Sequence, residues 1–290
     1  MNYGGIPEEF CDQKNSKIVV VPVPYDGTST WGKGADKGPD AILEASANME
    51  LYDIDTDSEV YRLGIYTASP IIEKTSPEHL VNAVYQTVTS FLEDNKFVVT
   101  LGGEHSVSIG AITAVAEKYA GLTVLQIDAH TDLRQEYLGS RYNHACVMAR
   151  VREMCQIIQV GIRSMDVEEK PFVDKNRIFY AKDILAGGKE WIDDLLEKLG
   201  YNVYVTIDLD GFDPSVVPAT GTPEPGGLQY YQVLEMLRRV IMKKNLVGFD
   251  VVELCPEKEN KSSEFLASKL IYQLLSLKFS KHETGEQPIL

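Results

Sequence analysis

Seven short, β-branched apolar runs separated by longer helical stretches constrain this chain more than any other feature. The runs are Lys17–Pro24, Phe97–Gly102, Leu122–Asp128, Gln156–Ile162, Ile178–Ala181, Asn202–Asp208 and Leu246–Val252. Several are apolar almost throughout, as strands covered on both faces are. Helical patterns lie between them at Asp40–Leu51, Glu78–Asp94, Val107–Tyr119, Val147–Met154, Glu190–Leu199 and Tyr230–Lys244, with a last one at Ser263–Phe279. Pro77 ahead of Glu78 reads as a helix start and Gly200 after Leu199 as a helix stop. Alternation of this kind predicts an α/β fold with a mostly parallel sheet between two helical layers. No repeat, low-complexity tract or long linker divides the 290 residues, so one domain over 1–290 is expected.

Charge narrows the partners. The chain carries 43 acids against 28 bases, a net charge of -15. That balance repels phosphate backbones and anionic membrane surfaces, so neither nucleic acid nor membrane is expected as a partner. No apolar stretch is long enough to span a bilayer, and MNYGGIPEEF lacks the basic and apolar regions of a signal peptide. Cys11, Cys146, Cys155 and Cys255 have no metal-like spacing and read as reduced thiols, which points to a cytoplasmic protein. The acidic stretches Asp53–Asp55–Asp57–Glu59 and Glu168–Glu169 read as exposed loop charges. The loop GTSTWGKGADKGPD around Trp31 has neither GxGxxG nor P-loop spacing; it reads as a turn-rich loop near the site, with Gly38-Pro39 opening the next helix.

Chemistry gathers at four strand ends. Phe97–Gly102 runs into GGEHS and His105; Leu122–Asp128 ends in DAHTD, with Asp128, His130 and Asp132; Asn202–Asp208 ends in DLDGFDP, with Asp208, Asp210 and Asp213; Leu246–Val252 ends at Glu253. In a parallel sheet these ends open on one edge, where ligands bind. In extended backbone the side chains at i, i+2 and i+4 share a side, so Asp128, His130 and Asp132 are expected to face one point, and Asp208 and Asp210 likewise. Four carboxylates and two imidazoles in one small volume would repel one another unless a multivalent cation neutralised them. Two divalent ions balance four carboxylates. An oxygen-rich set with imidazole and no thiolate favours Mn²⁺ over structural Zn²⁺. Shared carboxylates can bridge ions about 3.5–4 Å apart, as in two-metal hydrolases. A lone DxHxD or DLD is weak evidence, since such acids also cap helices; their joint occurrence at strand ends carries the reading. His79, on a helix face, and His282, in the C-terminal tail, read as solvated.

GGEHS, DAHTD and TIDLDGFDPSVVPATGTPEPGGL resemble the signatures of the ureohydrolases, the family of arginase and agmatinase. The likeness runs in order from GPDAI to FDVVEL, and the segments DLR, YNHACVMAR and GIRS are similar to the agmatinase branch. The resemblance implies a three-layer α/β/α fold, a pair of Mn²⁺ ions per chain and a homo-oligomer, commonly a trimer or hexamer. Carried over by motif, His105, Asp128, Asp132 and Asp208 would hold one ion, and His130, Asp128, Asp208 and Asp210 the other, with Asp128 and Asp208 bridging. Asp213 belongs to the motif but not to the ligand set, and a turn role is expected of it. Glu253 matches the acid that grips the guanidinium, which a carboxylate can bind through two parallel hydrogen bonds. His144 matches a loop histidine that moves protons or positions substrate, and an unperturbed pKa near 6.5 suits either task. The implied reaction is attack on the guanidinium carbon by a hydroxide bridging the metals, with Asp132 passing the proton to the leaving amine.

The substrate is less constrained than the reaction. Arginine has an α-carboxylate that needs donors from the loop after DAHTD, where arginase presents Ser-x-Asn-x-His. Here the stretch is Ser140-Arg141-Tyr142-Asn143-His144, so Tyr142 replaces the asparagine. That substitution favours agmatine, cleaved to putrescine and urea as in polyamine synthesis. Arg134 and Arg141 keep arginine or guanidinobutyrate open, though surface ion pairs are the expected role for both. A non-catalytic family member and a mononuclear zinc deacetylase of related fold are the remaining alternatives; the complete acid set speaks against the first and the separate His105 against the second.

Overall fold

The computed structural model describes residues 1–280. Eight strands form one fully parallel sheet: β1 (Ile18–Val23), β2 (Ile65–Thr67), β3 (Phe97–Gly102), β4 (Thr123–Ile127), β5 (Gln156–Ile162), β6 (Ile178–Tyr180), β7 (Asn202–Asp208) and β8 (Asn245–Val252). Their order is β2-β1-β3-β8-β7-β4-β5-β6. The helices are α1 (Gly38–Ser46), α2 (Pro77–Glu93), α3 (Val107–Lys118), α4 (Val147–Val151), α5 (Ala181–Ala186), α6 (Glu190–Lys198), α7 (Tyr230–Lys243) and α8 (Ser262–Ser280).

Side-chain alternation along the strands divides the interior into two cores. Ile18, Val20, Val99, Leu101, Val205 and Ile207 pack on one face with α1, α7 and α8, while Val19, Val21, Val98, Val124, Tyr204 and Val247 pack on the other with α2, α3 and α4. Period-two backbone geometry sends neighbouring apolar residues to opposite faces, which is why these strands are apolar throughout. The three-layer α/β/α architecture expected from the sequence is therefore observed. No helix among the described residues is long and apolar enough to cross a membrane.

Several boundaries differ from expectation. Strand β2 has three residues, too few for a periodic signal, and gains its place as an edge strand by pairing with β1. Ala181, expected to close a strand, opens α5 instead. Helix α1 stops at Ser46 rather than Leu51, because the Asn48 side-chain amide donates to the Glu44 carbonyl (3.0 Å) and occupies what the next turn would use. Pro77 does open α2, with Ser76 accepting the His79 N–H (3.2 Å). His79 is exposed there, whereas His282 lies outside the described residues.

Candidate metal centre and active site

The residues bearing the strand-end motifs come from β3, β8, β7 and β4, which are the four central neighbours of the sheet. His105 sits where β3 turns into α3. The turn needs Gly103, because a Cβ there would collide with the Tyr25 carbonyl oxygen. Glu253 follows β8 at a positive φ of 63°, donates its N–H to the Gly103 carbonyl (2.8 Å) and accepts the His105 N–H through Oε1 (2.7 Å).

Asp128 and Asp208 lie at strand ends as expected, but simple alternation does not bring the other acids in. Asp132 has a φ of 52°, and Asp210 sits in a 3-10 turn over Leu209–Gly211. Strand ends lose their ladder partners, so side-chain hydrogen bonds shape the backbone: Asp208 accepts the Asp210 N–H (2.9 Å), Asp128 accepts the His130 N–H (2.6 Å) and Asp210 accepts the Ala129 N–H (3.0 Å). The convergence expected from i, i+2, i+4 spacing is reached by these turns instead.

Two groups of donor atoms result. His105, Asp128 and Asp132 form one, Asp128, His130 and Asp210 the other, each within 4.8 Å. His105 Nδ1 lies 3.2, 3.0 and 3.3 Å from oxygens of Asp128, Asp132 and Asp208. His130 Nδ1 lies 3.0 Å from Asp210 and 3.6 Å from Asp128. Asp128 is common to both groups, and Asp208 joins the first through Oδ2 while its Oδ1 bonds the Asp210 backbone.

Electrostatics mark the cluster as short of positive charge. Burial raises Asp132, as does the charge of Asp128, to about 7. Burial and the charges of Asp210 and Asp128 likewise push Asp208 well up. Burial opposes charging of His130, yet Asp210 and Asp128 carry it up to about 12. The imidazoles thus take up protons where no other cation balances the acids. His105 Nδ1 is buried without a hydrogen-bond partner among the described residues, although three carboxylates face it. A buried nitrogen lone pair converging with carboxylate oxygens suits a hard or borderline divalent ion, so the residues present fit the metal that the sequence implied.

Supporting groups escaped sequence reasoning. His105 Nε2 meets Thr206 Oγ1 (2.9 Å), which donates to Asp250 (2.7 Å), while Tyr204 Oη also donates to Asp250 (2.8 Å). With the Thr206 proton given to Asp250, Nε2 must donate, which leaves the Nδ1 lone pair for a cation. Glu169, expected to be a solvated loop charge, is 4% exposed; its Oε1 accepts Thr131 Oγ1 and the Leu133 N–H (2.7 Å each), bracketing Asp132. Asp53 is likewise buried, accepting the Thr56 N–H (2.9 Å), while Asp55 pairs with Arg238 and Glu59 with Arg62. Arg163 donates to the carbonyls of Gly161, Asp210, Gly211, Phe212, Glu224 and Pro225 and so ties down the Asp210 turn. Thr206 and Asp250 lie in the motif strands, but the partners of His105, Glu169 and Arg163 are too distant in sequence to read, whereas Asp53 is bonded by Thr56 three residues on. Asp213 does hold a turn, accepting from Ser215, Gly226 and Gly227, and these bonds bring it down to about 2.

A cavity of about 280 Å³ opens over the cluster, lined by His130, Asp132, His144, Glu253, Trp31 and Met165 among others. The Trp31 loop forms one wall. Asp26 closes it by accepting the Ser29 hydroxyl, the Lys33 ammonium (3.1 Å) and the Gly34 N–H (2.7 Å). Gly32 docks it by donating to the Gly221 carbonyl (3.2 Å), an approach that a Cβ would block. Burial pushes His144 down to about 4, with the charge of His105 adding to the effect, so its titration is not the unperturbed one expected. Beside it Glu104, which the sequence reading passed over, is fully buried and raised to about 7 by that burial, against hydrogen bonds from Ser106 and Thr28. Tyr142 packs into the core against α2–α4 and does not line the cavity. Arg134 pairs with Asp166 (2.9 Å) and lies over the Tyr137 ring, 4.6 Å from its centre, and Arg141 pairs with Glu153 (3.0 Å), as expected of both. All four cysteines are free.

Fold and cluster together define an α/β protein able to hold cations at the edge of its sheet. Comparison with known proteins sharpens that class. The arginase family model matches residues 16–276. An N(1)-aminopropylagmatine ureohydrolase of Synechocystis is 38% identical over 286 residues, covering 93% of each chain, and an agmatinase of Pyrococcus horikoshii is 34% identical over 271 residues, covering 92% of this chain and 93% of that one. The crystal structure of an agmatine ureohydrolase of Thermoplasma volcanium is 30% identical, with a TM-score of 0.86 over 95% of this chain and 94% of that one. The chain belongs to the arginase family and is a hydrolase of the ureohydrolase type.

Proposed function

We propose that this protein hydrolyses a linear guanidine with an amine-bearing tail, of the agmatine type, to urea and the corresponding amine, using two Mn²⁺ ions. His105, Asp128, Asp132 and Asp208 would hold one ion, and Asp128, His130, Asp208 and Asp210 the other. The ions, when bound, lower the pKa of a water so that hydroxide is available at neutral pH. Glu253 binds the guanidinium; its carboxylate lies in the cavity wall and is held by the His105 N–H. Asp132 moves a proton from the nucleophilic water to the leaving nitrogen, and His144, which also lines the cavity, takes part in proton transfer. A homo-oligomer, trimer or hexamer, is the expected assembly.

One observation carries the choice of tail. The cations beside the cavity, Arg134 and Lys33, are already paired with Asp166 and Asp26, which weakens their pull on the carboxylate of arginine or guanidinobutyrate. A tail longer than that of agmatine is favoured by Trp31, 81% exposed, and Met165, 42% exposed, both on the cavity wall. Met165 offers an apolar surface there and the Trp31 ring a face that attracts cations, suited to an aminopropyl extension. Urea release from N(1)-aminopropylagmatine, agmatine, arginine and guanidinobutyrate at equal concentration tests this reading. Turnover of the amine-tailed compounds is expected, the longer being preferred; preference for a carboxylated guanidine would overturn it.

A further inference from the structure

The Trp31 loop does more than wall the cavity. Thr28, at its start, places Oγ1 2.9 Å from the His144 backbone N and 3.2 Å from His144 Nδ1, and its hydroxyl donates to Glu104 Oε2. Glu104 is buried at the β3–α3 turn, and its second oxygen accepts the Ser106 hydroxyl. A threonine hydroxyl has one proton and two lone pairs. With the proton committed to the Glu104 carboxylate, the lone pairs remain for the two His144 nitrogens that face them. His144 Nδ1 can then meet Thr28 only as a donor.

We infer that Thr28, with its proton direction set by Glu104, is a positioning residue that holds His144 as the Nδ1–H tautomer and leaves the Nε2 lone pair for the cavity. This rests on His144 acting at the cavity as proposed above. The consequence is chemical. A neutral imidazole with a free Nε2 lone pair accepts a proton or a substrate N–H; the other tautomer presents a donor there, aimed at a guanidinium that has no lone pair to receive it. The same logic fixes His105 through Thr206 and Asp250. Two histidines of the site are thus oriented by a threonine that a buried carboxylate orients in turn.

Ring ¹⁵N NMR of the full-length protein, loaded with diamagnetic Zn²⁺ in place of manganese, reads the tautomer without any substrate. The His144 signal is identified by its loss in His144→Gln. The unaltered protein should show protonated Nδ1 and bare Nε2, and Thr28→Val should mix the tautomers while Thr28→Ser keeps the Nδ1–H form. Glu104→Gln, which puts an NH2 donor where one carboxyl oxygen accepts, should mix them as well. In the manganese enzyme Thr28→Val should lower kcat by roughly tenfold, a fraction of what acid–base groups contribute, with KM nearly unchanged. Thr28→Ser should restore it, and Thr28→Val should cost nothing further in a His144→Gln background. An Nε2–H tautomer in the unaltered protein, an unchanged tautomer in Thr28→Val, or an equal loss of kcat with and without His144 would each overturn the assignment. Because the NMR arm needs no guanidine, its failure is distinguishable from an error in the proposed substrate.

Discussion

At Glu253 a carboxylate is buried, held at positive φ, and pushed well above its ordinary pKa by burial and by the charge of Glu104. A guanidinium beside it would relieve both effects. Glu253→Gln keeps an oxygen for the His105 N–H but loses the charge, so KM should rise by roughly 10–100-fold, the equivalent of about 1.5–3 kcal/mol for a charged hydrogen bond, with metal content unchanged. Steady-state kinetics with parallel metal analysis checks this, and an unaltered KM counts against the role. Asp132→Asn should lower kcat by about 10²–10⁴-fold, measured as urea release; normal turnover would remove Asp132 from the proton path. His144 has a sign that can be worked out. Its folded pKa is lowered to about 4, against about 6.5 when unfolded. The unfolded chain therefore binds more protons between those values, and stability is lost as pH falls from about 6.5 toward 4. Urea unfolding at pH 7 and pH 5 should show a smaller acid loss in His144→Gln than in the unaltered protein.

At the scale of elements, the loop that carries Asp132 depends on a segment 36 residues away in sequence, where Glu169 accepts the Leu133 N–H. Glu169→Ala would leave Thr131 and the Leu133 N–H without their partner and free the left-handed turn at Asp132. Metal affinity should fall by roughly 10–100-fold, as when groups behind metal ligands are removed. A competition titration with a metal chelator measures it, and full affinity would show that the turn holds itself. The elements were mostly legible: the long apolar strands and the helices α2 and α7 carry their periodicity in the residues themselves. Short ones were not. β2 and α5 have too few residues to show a period, and Glu169 looks like a solvated acid until the distant Thr131 and Leu133 are seen to cover it, whereas Asp53 is bonded by Thr56 three residues on.

For the whole molecule, four aspartates on neighbouring strand ends make folding and metal binding a single problem. Ions that bind only the folded chain should stabilise it by about 2.7 kcal/mol at a hundredfold excess over Kd. Thermal unfolding with Mn²⁺ and with chelator tests this, and equal Tm values would argue that the cluster folds without needing a cation. The residues by themselves determined the α/β class and the parallel sheet and pointed to the acid and histidine set, because strand periodicity and strand-end chemistry are local and period-bound. Tertiary structure alone decided what stands beside what. The order β3-β8-β7-β4 brings segments more than a hundred residues apart onto one edge; turns at Asp132 and Asp210, rather than strand alternation, aim their carboxylates inward. Desolvation then sets the charge of His144, and the Thr28 contact sets its face, since burial and partner distance are properties of the folded chain and of no single stretch of it.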